Sequence, residues 1–253
     1  MAPLKSVIAP AGKLSPLEWL AIIGSILVAS FLLVDPLVLS LVREFDPQLK
    51  GVFQRLTHLG RSSWILFPTG AAIVLLLALR SRDIGARMSV AYAYMAQLCA
   101  FVFVCVAGAG IVTSLGKNII GRARPKLYDA VGSVEFEPFT FHADFASFPS
   151  GHATTIFALA AALAILFPKA RIYLFVVAAW IAATRFLIGT HYISDAVAGA
   201  VVGIAFSQFL MQRMAARRWL FQIARDGGIH LRGKSIMPWI ARQLRQTVLP
   251  RAR

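Results

Sequence analysis

Six apolar runs, near residues 17–34, 64–79, 88–115, 151–168, 172–190 and 193–212, constrain this chain more than any other feature. Runs of this length cross the ~30 Å hydrocarbon layer as single helices. The second is the shortest and carries Pro68. The rest of the composition agrees: of 253 residues, 58% are hydrophobic and only 15% charged, far more apolar surface than one soluble core of this size would cover. The sequence therefore predicts an all-α fold, a six-transmembrane helical bundle over residues 17–213. A short segment, 1–16, precedes it and a basic amphipathic tail, 214–253, follows it.

Basic residues orient the bundle, because cytoplasmic connections are enriched in Lys and Arg. If the runs alternate in direction, seventeen of the 26 cationic side chains share one face: Lys5, Lys13, Arg80, Arg82, Arg87, Lys169, Arg171 and ten from Arg213 onward. Both termini are then expected to be cytoplasmic. The other face holds Arg43, Lys50, Arg55, Arg61, Lys117, Arg122, Arg124, Lys126 and Arg185. Cations placed against the topological bias need another reason to be there.

The first run is as long as a span and has no clear small-residue cleavage site after it, so it reads as an anchor rather than a removed signal peptide. Cys99 and Cys105 both lie in the third run, pointing to different sides of a helix, and read as packing residues. No cluster of Cys, His and carboxylates has metal-ligand spacing, so no metal or other cofactor is expected. The net charge of +15 invites a nucleic-acid partner, yet no binding module is visible. Much of that charge sits in the tail, where ten Lys/Arg and one acid, Asp226, interleave with Trp219, Phe221, Ile229, Leu231 and Trp239. That is the composition of a segment lying on an anionic inner leaflet. Between the first two runs, residues 35–63 mix apolar and basic side chains as amphipathic helices at the outer interface do, broken by Pro36, Pro47 and Gly51, and form a candidate roof for a site.

Three short stretches at the outer ends of the runs carry chemistry. In the third, His191 and Asp195 are four residues apart, one turn on a helix. A carboxylate there holds one ring nitrogen and leaves the other as a basic lone pair, the condition for a histidine nucleophile. In the second, Pro149-Ser150-Gly151-His152 opens the fourth run. Ser150 is a good N-cap, the first-turn N–H groups make an anion site, and Gly151 admits a close approach. His152 stands where it could protonate a departing alkoxide. In the first, Lys117 and Arg124 are seven apart and share an azimuth if the helix runs to Pro125, so both cations converge on one anion. Arg122 points elsewhere and reads as a snorkelling interfacial cation.

The pattern Lys117…Arg124-Pro125, Pro149-Ser150-Gly151-His152 and Thr184-Arg185…His191…Asp195 resembles the type 2 phosphatidic acid phosphatase (PAP2) superfamily, which also includes vanadium haloperoxidases and bacterial acid phosphatases. One position departs: Thr184 stands where serine is usual, with the hydroxyl kept. The resemblance implies that Lys117, Arg124 and Arg185 hold phosphate oxygens, with Ser150 and the Gly151 backbone completing the cradle. It also implies His191 as nucleophile, Asp195 as its orienting acid and His152 as proton donor, through a phosphohistidine and without metal. Three fixed cations neutralise the equatorial oxygens, which is most of what phosphoryl transfer asks of a protein.

The reading is an integral-membrane lipid phosphate phosphatase of the bacterial inner membrane with a periplasmic active site. Within the superfamily the substrates are phosphatidic acid, phosphatidylglycerol phosphate, undecaprenyl diphosphate or lipid A, and the motifs do not choose among them. Two readings compete. Vanadate-dependent halide oxidation uses the same oxyanion cradle, although those relatives are larger and soluble. A non-catalytic lipid-phosphate binding protein would keep the cradle without turnover.

Overall fold

The computed structural model describes residues 15–80, 85–225 and 227–233, together with 238, 239 and 242. The first helix, α1 (Pro16–Ala29), opens on a capping box between Ser15 and Glu18. It passes through a π-helical turn, Ser30–Val34, into α2 (Asp35–Arg43). Pro36, which has no amide N–H to give the ladder, sits just past that turn. Then follow α3 (Pro47–Leu56), a 3₁₀ turn at Thr57–Gly60, α4 (Ser63–Arg80), α5 (Ala86–Ile120), the short α6 (Tyr128–Val131), α7 (Gly151–Leu166), α8 (Arg171–Leu187) and α9 (Ile193–Ala216). An antiparallel hairpin, β1 (Phe221–Ile223) and β2 (Ile229–Leu231), follows α9.

Among the described residues, five helical segments are long and apolar enough to cross a membrane: Ala21–Arg43, Pro47–Arg80, Ala86–Ile120, Pro168–Leu187 and Ile193–Ala216. The remaining expected span, α7, has 16 residues, about 24 Å at 1.5 Å per residue, and is short for the hydrocarbon layer. It is the central helix, packed against α5, α8 and α9, and Ala153, Ala158, Ala161 and Ala162 are fully buried. A helix enclosed by its neighbours need not match the thickness of lipid.

Small residues let α7 and α9 touch backbone to backbone. A methyl at Gly203 would stand 2.5 Å from the Thr154 carbonyl oxygen and 2.7 Å from the Ala158 amide, so only glycine fits there. This contact fixes the starts of α7 and α9 in one layer. The ends of α5 and α8 reach the same layer, and that end of the bundle holds all three motif stretches.

Within the described start of the tail, two apolar residues turn inward rather than to a membrane surface. Leu220 and Phe221 are buried, and the Phe221 ring meets Phe101 of α5 edge to face at 5.0 Å. Cys105, Val106, Ile165 and Met211 belong to the same cluster. Apolar residues beside arginine thus anchor a hairpin in the bundle rather than in lipid. The N-terminal segment 1–14 and, apart from 238, 239 and 242, the tail beyond 233 lie outside the described residues, and so does Arg82. Cys99 and Cys105 are free thiols.

Candidate active site

Lys117 lies in the last turn of α5, its Nζ donating to the Ala146 carbonyl at 3.2 Å. The helix does not run on to Pro125. It stops at Gly121, whose φ of +63° is left-handed and where a Cβ would collide with the Glu137 carbonyl. Arg124 therefore arrives on extended backbone, held by its N–H to Asp144 O at 2.8 Å. The loop after the helix, not a shared azimuth, brings the two cations together.

At the second stretch the Ser150 hydroxyl makes no N-cap hydrogen bond. Its backbone N–H donates instead to the Asp195 carbonyl at 2.9 Å, tying the start of α7 to that of α9. A methyl at Gly151 would sit 3.7 Å from Lys117 Nζ, so the helix N-terminus and the ammonium face one small space. His152 packs against Gly60 in the roof.

At the third stretch Arg185 ends α8, buried, with one guanidinium nitrogen donating to Thr57 Oγ1 at 2.9 Å. Thr184 bonds back to the Ile181 carbonyl within the helix and does not face the site. His191 precedes α9, which starts at Ile193, so His191 and Asp195 do not share a helix. The His191 and Thr190 amides donate to the Arg185 carbonyl at 3.3 and 3.1 Å, which places the imidazole. Asp195 accepts from the Tyr192 amide at 2.9 Å and from Ser147 Oγ at 2.6 Å. His191 Nδ1 lies 3.4 Å from Asp195 Oδ2, close but not aligned as a hydrogen bond. Burial pushes the imidazole pKa down to about 4, with Asp195 opposing that shift, so His191 is neutral at pH 7.

The charges converge. Lys117, Arg124 and Arg185 act on one another electrostatically, and Lys117 and Arg185 both act on His152 and His191. A cavity of about 640 Å³ is lined by Lys117, Gly151 and His152 together with Gly60 and Arg61. Arg124 lines a smaller one beside it with Lys126, Asp144 and Thr190. Arg124 Nε, Arg185 Nε, Ser150 Oγ and His191 Nδ1 are buried without a hydrogen-bond partner in the protein. Buried donors of this kind are costly unless a ligand takes them up.

The model of the PAP2 superfamily matches residues 97–219. A lipid A 1-phosphatase of Rhizobium etli is 36% identical over 222 residues, which span 84% of this chain and 92% of that protein. The chain belongs to the PAP2 superfamily. A lipid A 1-phosphatase of Rhizobium johnstonii is also 36% identical, over 183 residues, 70% of this chain and 73% of that one. The transmembrane PAP2-type phosphatidylglycerolphosphate phosphatase from Bacillus subtilis shares the fold, with a TM-score of 0.53 at 19% identity, covering 80% of this chain and 96% of that chain. This protein is thus a membrane phosphatase of the PAP2 fold.

The PAP2 motifs omit part of what surrounds the site. Arg122, expected to snorkel, is fully buried and ion-paired to Asp195 at 2.7 Å and to Asp35 at 2.8 Å. Its guanidinium lies between the rings of Phe31 and Tyr192, 4.2 Å from each centroid. Asp35, Thr57, Ser147 and Ser194 also went unmarked. A lone carboxylate at the end of a lipid-length run was the available signal for Asp35; the others carry none.

Proposed function

We propose that this protein is an integral-membrane lipid phosphatase whose substrate is the 1-phosphate of lipid A, cleaved at the periplasmic face through a phosphohistidine. One observation carries the reading: a buried, neutral His191 beside Asp195 shares one end of the bundle with Lys117, Arg124, Arg185 and His152. In this reading the Arg124 and Arg185 guanidiniums, the Lys117 ammonium, Ser150 and the N-terminus of α7 hold the phosphate oxygens. His191 Nε2, opposite the nitrogen that faces Asp195, forms the P–N bond as the P–O bond to the leaving group breaks. His152, holding a proton drawn in with the negatively charged phosphate, gives it to the departing oxygen and then takes a proton from the water that attacks the phosphohistidine.

A lipid substrate is supported by the shape of the larger cavity. From Lys117 and His152 it extends along α5 past Ile111 to Val106 and meets Leu66 of α4, roughly 16 Å of helix from Lys117. A charged head group fits one end and apolar chain the other. Lipid A is favoured by the two relatives that span most of this chain, and the periplasmic face by the basic residues of the opposite end.

Phosphate release from lipid A, phosphatidic acid, phosphatidylglycerol phosphate and undecaprenyl diphosphate in detergent tests the assignment. Lipid A is expected to be turned over fastest, and His191→Ala to abolish release and any acid-labile, base-stable phosphoenzyme. Preference for another lipid overturns the substrate; a phosphoenzyme surviving in His191→Ala moves the nucleophile elsewhere.

A further inference from the structure

The buried cluster behind Asp195 is more elaborate than the orientation of one carboxylate requires. Arg122 donates from one terminal nitrogen to Asp195 Oδ1 and Ser194 Oγ, both at 2.7 Å. From the other it donates to Asp35 Oδ2 and the Ser133 carbonyl, both at 2.8 Å, and its Nε reaches the same carbonyl at 3.1 Å. Ser194 in turn donates to Asp35, by its hydroxyl to Oδ2 and by its amide to Oδ1 at 3.0 Å. Asp35, Arg122 and Asp195 have no exposed side-chain surface. The π-helical turn and the start of α2 supply the Phe31 ring on which the guanidinium stacks and the second carboxylate, Asp35.

We propose that Asp35 and Arg122 are positioning residues that set the charge Asp195 presents to His191. Arg122 alone would orient Asp195 and also neutralise it. A neutralised Asp195 offers little to the nucleophile, because the phosphorylated imidazole keeps its Nδ1 proton and gains a positive charge. With both carboxylates ionised, the cluster of two acids and one guanidinium carries one net negative charge. Asp35 takes up the cation, Arg122 pins Oδ1, and Oδ2, which also accepts from Ser147 Oγ and the Tyr192 amide, faces His191. The low-dielectric surroundings make this balance matter more than it would in water. Asp35 thus acts on a step it does not touch. The inference rests on His191 being the nucleophile.

The test is Asp35→Asn in the full-length protein, with alkaline quench of the phosphoenzyme formed from an aryl phosphate. Asparagine keeps the shape and can still accept from Arg122. Phosphoenzyme formation is expected to slow at least about ten-fold, with vanadate inhibition within about two-fold of wild type and thermal stability kept. The double variant Asp35→Asn/Arg122→Gln returns one net negative charge to Asp195, and is expected to form phosphoenzyme faster than Asp35→Asn. Wild-type rates in Asp35→Asn overturn the proposal, as does an equal loss of vanadate affinity or a folded double variant no faster than the single. If the double variant does not fold, the single decides by its split between phosphoenzyme rate and vanadate affinity. A wild-type protein that hydrolyses substrate without a phosphoenzyme removes the nucleophile assignment along with the proposal, whereas equal phosphoenzyme rates in wild type and Asp35→Asn remove the proposal alone.

Discussion

Gly60 lies against the imidazole of His152: a methyl built on it would come within 2.9 Å of Cδ2 and 3.0 Å of Cβ. The turn at Gly60 thus sets where the His152 ring, the proposed proton donor, can stand. Gly60→Ala must push the ring or the turn by a few tenths of an ångström. Misplacement of a reacting group is expensive, with a 1 Å error costing up to about 100-fold. The expected outcome is a kcat loss of about ten-fold on lipid substrates with poor leaving groups and a smaller loss on an activated aryl phosphate, which needs less protonation. Equal losses on both in steady-state assays would remove His152 from the proton-donor role.

Thr57, from the same turn, holds Arg185 by the 2.9 Å hydrogen bond to its guanidinium. Both side chains are buried, so solvent cannot replace the lost acceptor cheaply. If Arg185 holds phosphate as proposed, Thr57→Val is expected to loosen it, raising KM and weakening vanadate inhibition about ten-fold, or ~1.4 kcal/mol. Arg185→Lys is expected to do more, because an ammonium cannot both reach Thr57 and fork two phosphate oxygens. Unchanged inhibition in Thr57→Val would show that Arg185 is placed by its helix alone.

Much of this site was legible because apolar runs set where helices end, and all three motif stretches fall at such ends. Lys117, Arg124, Ser150, Gly151, His152, His191 and Asp195 stand at those ends by spacing and residue type, whereas Arg185 enters the set only through the PAP2 resemblance. What was not legible depends on breaks in periodicity and on distant partners. Spacing alone made Lys117 and Arg124 two turns of one helix, but the left-handed residue at Gly121 ends it early. Arg122 reads as interfacial because its counter-charge, Asp35, lies 87 positions away across two intervening spans. Likewise Phe221 reads as a residue for lipid by composition, but its ring packs on Phe101 of α5. Burial of a charge is decided by such tertiary pairing, and the spacing around Arg122 does not name its partner.

Gly199 carries the register between the second and third motif stretches. A methyl there would stand 2.5 Å from the Ser150 carbonyl and 3.1 Å from Ala153 Cβ. That oxygen is backbone, so no flexible side chain can give way. Gly199→Ala is expected to push the start of α7 off α9, at a cost of about 1–3 kcal/mol in stability. It should also lower kcat, because Ser150 N–H then loses its bond to Asp195 O. Melting in detergent and turnover are the two measurements; a variant that keeps both would mean the helices slide without disturbing the site.

The depressed pKa of His191 predicts an unusual acid limb. Burial lowers it from 6.5 to about 4, against the pull of Asp195, so the imidazole stays neutral and nucleophilic well below the pH at which a free histidine is protonated. Between pH 6.5 and 4 the unfolded chain binds a proton at this residue that the folded one excludes. Stability from this group is therefore complete above pH 6.5 and is lost as pH falls toward 4, by at most about 1.4 kcal/mol per pH unit. Activity should follow: kcat/KM shows no enzyme-borne limb between pH 7 and 5, and any limb there moves with the phosphate pKa of the substrate. Two substrates whose phosphates titrate differently separate the cases. A limb fixed near pH 6.5 for both, absent from thermal melts of His191→Asn, would mean that His191 titrates as an exposed histidine and that the buried geometry does not hold during turnover.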